Sequence, residues 1–156
     1  MSEQVNPTPP EYAGVTAYLV IRGAAAAIDF YRKVFGAEEL LRLAAPDGSI
    51  GHAELQIAGG RVMLADEVTD LKICSPTTIG DTGTGLLIYV ADADAVYQAA
   101  IDAGATAFKP ICDQFYGERS GTIDDPFGHR WTISQRIETI DNAEIKRRFD
   151  EFYGDD

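Results

Sequence analysis

Residues 15–37 read VTAYLVIRGAAAAIDFYRKVFGA, and this stretch decides the fold. Val15 to Ile21 is short, apolar and rich in β-branched side chains, which predicts a strand. Within Ala24 to Phe35 the larger apolar residues recur three and four positions apart, which predicts a helix. Gly36 follows directly, and glycine adopts the left-handed conformation that ends many helices. The stretch is therefore a strand followed by a helix.

Three more strands are predicted after this helix, each separated from the next by turn residues. Leu40 to Leu43 is followed by a Pro-Asp-Gly turn, and Ile50 to Ala58 is followed by a tight turn at Gly59 and Gly60. Arg61 to Ala65 is the last strand of the group. The order of elements is β-α-β-β-β.

The same order of elements returns in the second half of the chain. A strand is predicted at Leu86 to Val90, and a helix at Ala93 to Ala103 begins after the capping residue Asp92 and ends at Gly104. Strands are predicted after this helix at residues 107–111, 121–123 and 129–134. The Phe-Gly-Ala that closes the first helix aligns with an Ala-Gly-Ala at the end of the second. Together these matches indicate an internal duplication.

Composition restricts the class of protein and its partners. The chain has 156 residues, of which 46% are hydrophobic, and this suits one domain or two small repeated halves. Its net charge of -12 repels phosphate and anionic lipid, so we expect neither nucleic-acid nor membrane partners. Met1 to Glu11 is polar and Pro-rich and resembles no signal peptide, so a cytoplasmic location is expected. Cys74 and Cys112 form no ligand-like pair and are expected to be free thiols.

The sequence also predicts where the segments of the chain begin and end. We expect a flexible N-terminal segment at residues 1–13 and a single domain at residues 14–135. The domain has two modules, at residues 14–67 and 84–135, joined by a loop at residues 68–83. A charged C-terminal helical extension follows at residues 136–156. Asp141 occupies the cap position of a capping box at the start of the extension. Its thin apolar stripe is expected to pack against the domain or a sister subunit.

Five short motifs carry a resemblance to a known family. They are residues 27–37 (AIDFYRKVFGA), 51–54 (GHAE), 63–67 (MLADE), 116–121 (YGERSG) and 125–131 (DPFGHRW). With the tandem units, they resemble the vicinal oxygen chelate superfamily of glyoxalases, bleomycin resistance proteins and extradiol dioxygenases, and most of all its glyoxalase-like branch of mostly unassigned activity. The resemblance implies an α+β fold in which two tandem βαβββ modules form a half-open curved sheet with a cavity. It also implies a homodimer.

The resemblance further implies where a metal would be held. In the metal enzymes of this family, each half supplies a His from its first strand and a Glu from its fourth. Those positions fall here on Thr16 and Leu64 (or Met63, if the register shifts by one residue), and on Gly85 and Thr132. None is a His or a carboxylate, so we expect no metal and no cofactor. Glyoxalase I and ring-cleaving dioxygenase activities are disfavoured for the same reason.

The alternation of strand side chains predicts which residues line the cavity. Side chains two apart share a face, so Thr16 brings Tyr18 with it, and His52 brings Glu54 and Gln56. The predicted ligand-binding residues are Thr16, Tyr18, Gln56, Tyr89, Tyr116, Arg119, Arg130 and Thr132. In this set Tyr116 could stack on a ring and Arg119 could clamp a carboxylate or phosphate. Arg119 could instead be tied down in a pair with a Glu or an Asp, for example Asp124 or Asp125. Such a lining suits a small polar or amphipathic molecule.

His52 and Glu54 are the candidate catalytic residues. They lie two apart on one predicted strand and point the same way. His52 could act as a general base with Glu54 as its partner. They could equally form a structural hydrogen-bonded pair, or hold a metal at a non-standard position.

Three functions follow from these observations, in order of preference. The first is a resistance or sequestration protein that binds a small polar or aromatic molecule in a metal-free cavity. The second is a metal-independent lyase or isomerase in which His52 and Glu54 carry out acid-base chemistry and Arg119 or Arg130 stabilises an oxyanion. The third is a metalloenzyme with a non-standard site.

Overall fold

The computed structural model describes residues 5–154 and divides the chain into two compact units, with the division after Thr78. Both units contain one four-stranded mixed sheet and belong to the α+β class. None of the helices within residues 5–154 has the length and apolar character needed to cross a membrane.

The first unit has the predicted βαβββ order. Its elements are β1 (Ala17–Ile21), α1 (Ala24–Phe35), β2 (Glu38–Ala44), β3 (Ile50–Ile57) and β4 (Gly60–Asp66). The strand order is β1-β4-β3-β2; β1 is parallel to β4 and the other neighbours are antiparallel. Helix α1 has the predicted bounds, and Gly36 ends it with a left-handed φ of 64°. The one difference that concerns the candidate residues is that β1 begins at Ala17, so Thr16 precedes it.

One face of this first sheet is buried under α1. Leu19 and Ile21 of β1 and Leu55 of β3 are buried, as are Ile28 and Tyr31 of the helix. The residues between them on the strands point away from the helix, as the period of two requires. The alternation that was predicted for β1 and β3 is therefore confirmed.

The connection between the two modules contains structure that the sequence did not predict. A 3-10 turn at Thr69–Leu71 and a short helix α2 (Pro76–Ile79) interrupt the expected loop. Glu67 organises this connection, because its carboxylate accepts hydrogen bonds from the Ser75 amide and the Thr78 hydroxyl. Glu67 lies outside the expected loop, so the sequence pattern of the loop alone did not indicate these contacts.

The second unit repeats the topology of the first. Its elements are β5 (Gly85–Tyr89), α3 (Ala93–Asp102), β6 (Thr106–Gln114), β7 (Glu118–Asp124) and β8 (Arg130–Arg136), in the strand order β5-β8-β7-β6. Asp92 caps α3 through a hydrogen bond from the Ala95 amide, as predicted. The strands β6 and β7 are longer than their sequence patterns indicated. The two repeated modules are confirmed.

The duplication includes the way in which a fourth-strand side chain caps the helix of each unit. In the first, the Asp66 carboxylate on β4 accepts hydrogen bonds from the Gly23 and Ala24 amides at the start of α1, at 3.0 and 2.9 Å. In the second, the Gln135 side chain on β8 accepts one from the Ala93 amide at the start of α3, at 3.0 Å. A fourth-strand oxygen thus satisfies the unpaired amides of the helix in its own module.

Helix α4 (Asn142–Tyr153) is the C-terminal extension, and it packs on its own unit. Asp141 caps it by accepting from the Glu144 amide at 2.8 Å, as the capping box predicts. The Phe115 ring, in the turn between β6 and β7, lies 5.9 Å from Phe149 and 5.6 Å from Phe152. The expected packing against the domain is observed, and packing against a sister subunit stays a prediction.

Gly121 on β7 has no room for a side chain. A Cβ at this position would lie 2.8 Å from the Tyr97 ring of α3 and 3.0 Å from the Ile111 Cα. We predict that Gly121→Ala lowers the free energy of unfolding by about 1–3 kcal/mol, because α3 must move off the sheet. The denaturation midpoint in urea measures this loss.

Gly85→Ala is the matched control for this change. A Cβ at Gly85, also on a strand of the second unit, has no neighbour within 4 Å. Its free energy of unfolding is expected to change by less than about 0.5 kcal/mol. An equal loss in both variants would contradict the steric argument.

Candidate functional site

A cavity of about 580 Å³ opens on the first unit, on the side of the sheet opposite α1. Apolar side chains from several elements form most of its wall. The lining residues are Tyr18, Val20, Leu43, Ala44, Ala45, Ser49, Ile50, Gly51, Ala65, Asp66, Glu67, Val68 and Ile73. Of the predicted ligand-binding residues, Tyr18 lies in this wall. Thr16 and Gln56 are not among the described residues that line it.

The two carboxylates in the wall are already engaged by the protein. Asp66 accepts from the amides at the start of α1 and, through its other oxygen, from the Ile50 amide at 2.7 Å. Glu67 pairs with Arg22 at 2.6 Å in addition to its contacts with the connection. The Ser49 hydroxyl donates to Asp47 at 2.6 Å. The cavity is therefore more apolar than the strand pattern predicted, because its polar side chains are hydrogen-bonded to other groups of the protein.

These contacts change the acidity of Glu67. The hydrogen bonds from the Ser75 amide, then those from Thr78 and Arg22, lower the pKa of the carboxyl from 4.5 to about 2. A carboxylate that is held in its charged form stabilises the folded state wherever the unfolded chain has lost the same proton. Ionised Glu67 therefore stabilises the connection between the modules, and this stabilisation depends on pH.

We predict that acid reduces the contribution of Glu67 to the free energy of unfolding. The contribution of Glu67 is complete above about pH 4.5 and is lost as the pH falls to about 2. Glu67→Gln is expected to lower the free energy of unfolding at neutral pH and to flatten its pH dependence in that range. Glu11→Gln, at an exposed residue, serves as the control. A Glu67→Gln variant with the wild-type acid profile in urea titrations would refute the assignment.

Beside the cavity, three side chains form a continuous hydrogen-bonded chain. The Tyr18 hydroxyl lies 2.9 Å from His52 Nδ1, and His52 Nε2 lies 3.2 Å from Glu54 Oε1. Strand register explains why they meet, since Met63 of β4 lies opposite both Tyr18 on β1 and Glu54 on β3. Sequence reasoning placed all three on one face, and the structure brings them into contact.

Tyr12 and Arg61 complete this cluster, and sequence reasoning missed both. The Tyr12 hydroxyl donates to Glu54 Oε2, and Arg61 lies 3.4 Å from the same oxygen and 4.7 Å from the Tyr12 ring centre. The hydrogen bonds from Tyr12 and His52 lower the pKa of Glu54, and the bond to Glu54 raises the pKa of Tyr12. Tyr12 belongs to a 3-10 turn within the segment expected to precede the domain. Its aromatic ring in an otherwise polar segment was the available signal.

The positions at which the family would place a metal carry no suitable donors. Met63, not Leu64, shares the open face with Tyr18, because Leu64 is fully buried. In the second unit, Gly85 offers no side chain, and the Thr132 hydroxyl is hydrogen-bonded to Thr122 at 3.0 Å. Within the part of the chain that the structure describes, no three His, Cys, Asp or Glu side chains form a metal-binding group. The residues present do not fit the metal of this family.

The two predicted arginines lie in the second unit and are paired with carboxylates. Arg119 bonds to Asp94 and to Asp113, the latter at 2.8 Å. Arg130 bonds to Asp124 at 2.8 Å. Arg119 is thus tied into Arg–Asp pairs, although its partners are not the expected examples, because Arg130 lies directly opposite Asp124 on the neighbouring strand. Asp125 instead accepts from the indole of Trp131 at 3.0 Å.

The remaining candidates lie on the same open sheet face of the second unit or in its turns. The Tyr89 hydroxyl donates to Glu118 at 2.5 Å. Tyr116 and Thr132 line a pocket of about 150 Å³ together with Lys109, Gln114, Ser120, Gly121 and Thr122. This pocket is hydroxyl-rich and small, whereas the cavity of the first unit is apolar and large enough for a drug-sized molecule.

Comparisons with known proteins agree with this architecture. A sequence model of the Glyoxalase/Bleomycin resistance protein/Dioxygenase superfamily matches residues 14–133. An uncharacterized protein of Mycobacterium tuberculosis is 42% identical over 135 residues, which is 85% of this chain and 79% of that protein. TioX from Micromonospora sp. ML1 is 27% identical with a TM-score of 0.62, over 83% of this chain and 100% of TioX.

The fosfomycin resistance protein FosX from Listeria monocytogenes, solved with Mn(II) and sulfate, is a more distant match. It is 16% identical with a TM-score of 0.59, and the match covers 88% of this chain and 98% of FosX. At this level of identity the likeness concerns the fold alone.

Proposed function

The chain belongs to the glyoxalase/bleomycin resistance protein/dioxygenase superfamily, and we propose that within it this protein binds a small, largely apolar molecule without a divalent metal. The observation that carries the proposal is the cavity of the first unit, with its apolar wall and the Tyr18 hydroxyl, which is hydrogen-bonded to His52 and lines the cavity. A role in sequestration of, or resistance to, such a molecule is the form that we favour. The homodimer expected from the sequence stays a prediction.

The chemistry of the wall supports an apolar ligand. Val20, Leu43, Ile50, Val68 and Ile73 present hydrocarbon to the cavity. Its volume of about 580 Å³ falls within the range of pockets that enclose drug-sized ligands. Transfer of an apolar ligand from water to this wall is favourable in proportion to the area that is buried.

The donor set supports binding without a metal. A divalent ion needs several oxygen, nitrogen or sulfur ligands on converging elements, and zinc sites use at least three from the protein. On the open face of the first sheet, Met63 stands between Tyr18 and Glu54, where a second hard ligand would be needed. His52 and Glu54 supply two candidate ligands, but each is already bonded to a tyrosine hydroxyl.

A bulky side chain in the cavity provides the test of the binding site. Ala65 lies on the open face of β4, opposite Val20, and both line the cavity. We predict that Ala65→Phe weakens binding of para-propylphenol about tenfold or more, because the ring occupies the ligand's space. Isothermal titration calorimetry measures the affinity.

Ala107→Phe is the matched control, since Ala107 is an exposed strand alanine of the second unit. It should bind the probe as the wild type does. A chelator should leave the affinity of the wild type unchanged, and elemental analysis of the purified protein should find less than one divalent ion per chain. Stoichiometric metal, or equal affinity in Ala65→Phe, would overturn the proposal.

A second candidate function is favoured by the hydrogen-bonded chain of Tyr18, His52 and Glu54. Because both His52 nitrogens are engaged, His52 does not itself face a ligand, and Tyr18 is the member of the chain on the cavity wall. In a metal-independent lyase or isomerase, the Tyr18 oxygen would take a proton from the substrate while the Tyr18 proton passes to His52 Nδ1. The resulting imidazolium would be stabilised by Glu54. Arg119 and Arg130, paired with carboxylates, have no part in this scheme.

Proton exchange distinguishes the enzyme from the binding protein. With methyl pentyl ketone as the probe in D2O, an acid-base enzyme should accelerate exchange of the protons next to the carbonyl, as followed by NMR. His52→Gln should slow this exchange by about 10²–10⁴-fold while changing affinity by less than tenfold. Wild-type exchange at the rate of buffer alone would exclude this reaction for ketones and leave the binding function.

A further inference from the structure

We propose that the cavity of the first unit selects ligands that bring a hydrogen-bond donor to the Tyr18 oxygen, because the Glu54–His52 pair directs the proton of the Tyr18 hydroxyl away from the cavity. This inference rests on the proposed binding function and names the chemical class of the ligand. Its basis is an accounting of donors and acceptors along one hydrogen-bonded chain.

The hydrogen-bonded chain begins at the Glu54 carboxylate, which when ionised can only accept hydrogen bonds. Tyr12 donates to Glu54 Oε2. Arg61, whose side chain can only donate, points an N–H at the same oxygen from 3.4 Å. The lowered pKa of Glu54 agrees with an ionised side chain. Its other oxygen, Oε1, faces His52 Nε2 at 3.2 Å. The proton of a neutral His52 must therefore reside on Nε2.

The position of this proton fixes the role of the other imidazole nitrogen. A neutral histidine has one N–H and one lone pair, so His52 Nδ1 is an acceptor. The Tyr18 hydroxyl lies 2.9 Å from Nδ1 and must donate to it. The direction of this hydrogen bond is thus set by Glu54, two links away.

The direction of this hydrogen bond determines what Tyr18 can offer a ligand. Once its proton points to His52, its oxygen can only accept from a ligand, and the side chain is 51% exposed and lines the cavity. The other polar side chains of the wall point no donor into the cavity either, because Asp66 and Glu67 accept hydrogen bonds and the Ser49 hydroxyl donates to Asp47. The ligand class is therefore an apolar body that carries an O–H or N–H group, such as a phenol or a secondary amide.

A second proton on His52 reverses this direction. The groups that face His52 are Tyr18 from β1, Glu54 from its own strand and the apolar Leu43 from β2, with Tyr12 and Arg61 behind Glu54. A doubly protonated His52 donates from both nitrogens, so the Tyr18 oxygen accepts and its own proton turns toward the cavity. The cavity then also tolerates a ligand that only accepts.

Two probes of nearly equal shape test the inference. Para-propylphenol carries a donor, whereas its methyl ether can only accept. At about pH 8, the phenol should bind the full chain about tenfold more tightly than the ether. Tyr18→Phe should abolish this preference while both probes still bind. Tyr153→Phe, at an exposed tyrosine of α4, should keep it.

Glu54→Gln provides the sharpest variant, because it keeps the shape and inverts the direction. Tyr12 and Arg61 both point donors at the Oε2 position, so the Gln oxygen should lie there and its NH2 should face His52 Nε2. The His52 proton then moves to Nδ1, and Tyr18 donates into the cavity. The ether should gain affinity, and the preference should fall toward one.

The outcomes separate this inference from the proposed function. If the wild type binds neither probe, the binding function fails and the inference with it. If both probes bind with equal affinity at about pH 8, or if Glu54→Gln keeps the preference for the phenol, the inference is wrong and the binding function stands. If Tyr18→Phe keeps that preference, a group other than the Tyr18 oxygen accepts the hydrogen bond from the ligand, and the inference is likewise wrong.

Discussion

The alternation of side chains along β1 and β3 is the constraint on which the rest of the first unit depends. Leu19 and Ile21 are buried beneath α1, so Tyr18 and Val20 must lie on the open face of the sheet. A shift of one residue would exchange the two faces of the strand completely, burying a tyrosine hydroxyl and exposing leucine. The hydrophobic core therefore fixes the position of the polar cluster without contributing any of its chemistry.

The same register determines what that polar cluster can be. Met63 lies between Tyr18 and Glu54 across the sheet, so the open face offers a thioether where a second carboxylate or imidazole would be needed for a metal. The oxygens and nitrogens that remain satisfy one another instead, from Tyr18 through His52 and Glu54. In this chain, hydrogen-bonded side chains occupy the face on which the metal enzymes of the family build their sites.

The sequence predicted the parts of this structure that depend on local pattern. The βαβββ order, the bounds of α1 and the common face of Tyr18, His52 and Glu54 all follow from periods of 3.6 and two. The contact of Tyr12 with Glu54 and the apolar character of the cavity were not predicted. Both depend on which distant groups meet: Glu67, for example, is satisfied by a segment eight residues further along the chain. Pattern indicates which face a side chain occupies but not what it finds there.

The distribution of charge in the first unit argues for a neutral ligand. Three arginines, Arg22, Arg42 and Arg61, each lie within 3.4 Å of a glutamate oxygen, so their charges are locally balanced. An anionic ligand that paired with one of these three arginines would have to displace its carboxylate, and it would also meet the field of a chain with a net charge of -12. A cation would find Asp66 and Glu67 already bonded to the backbone and side chains around them. A neutral molecule meets neither cost, and its affinity then depends on apolar contact and on the one hydroxyl oxygen of Tyr18.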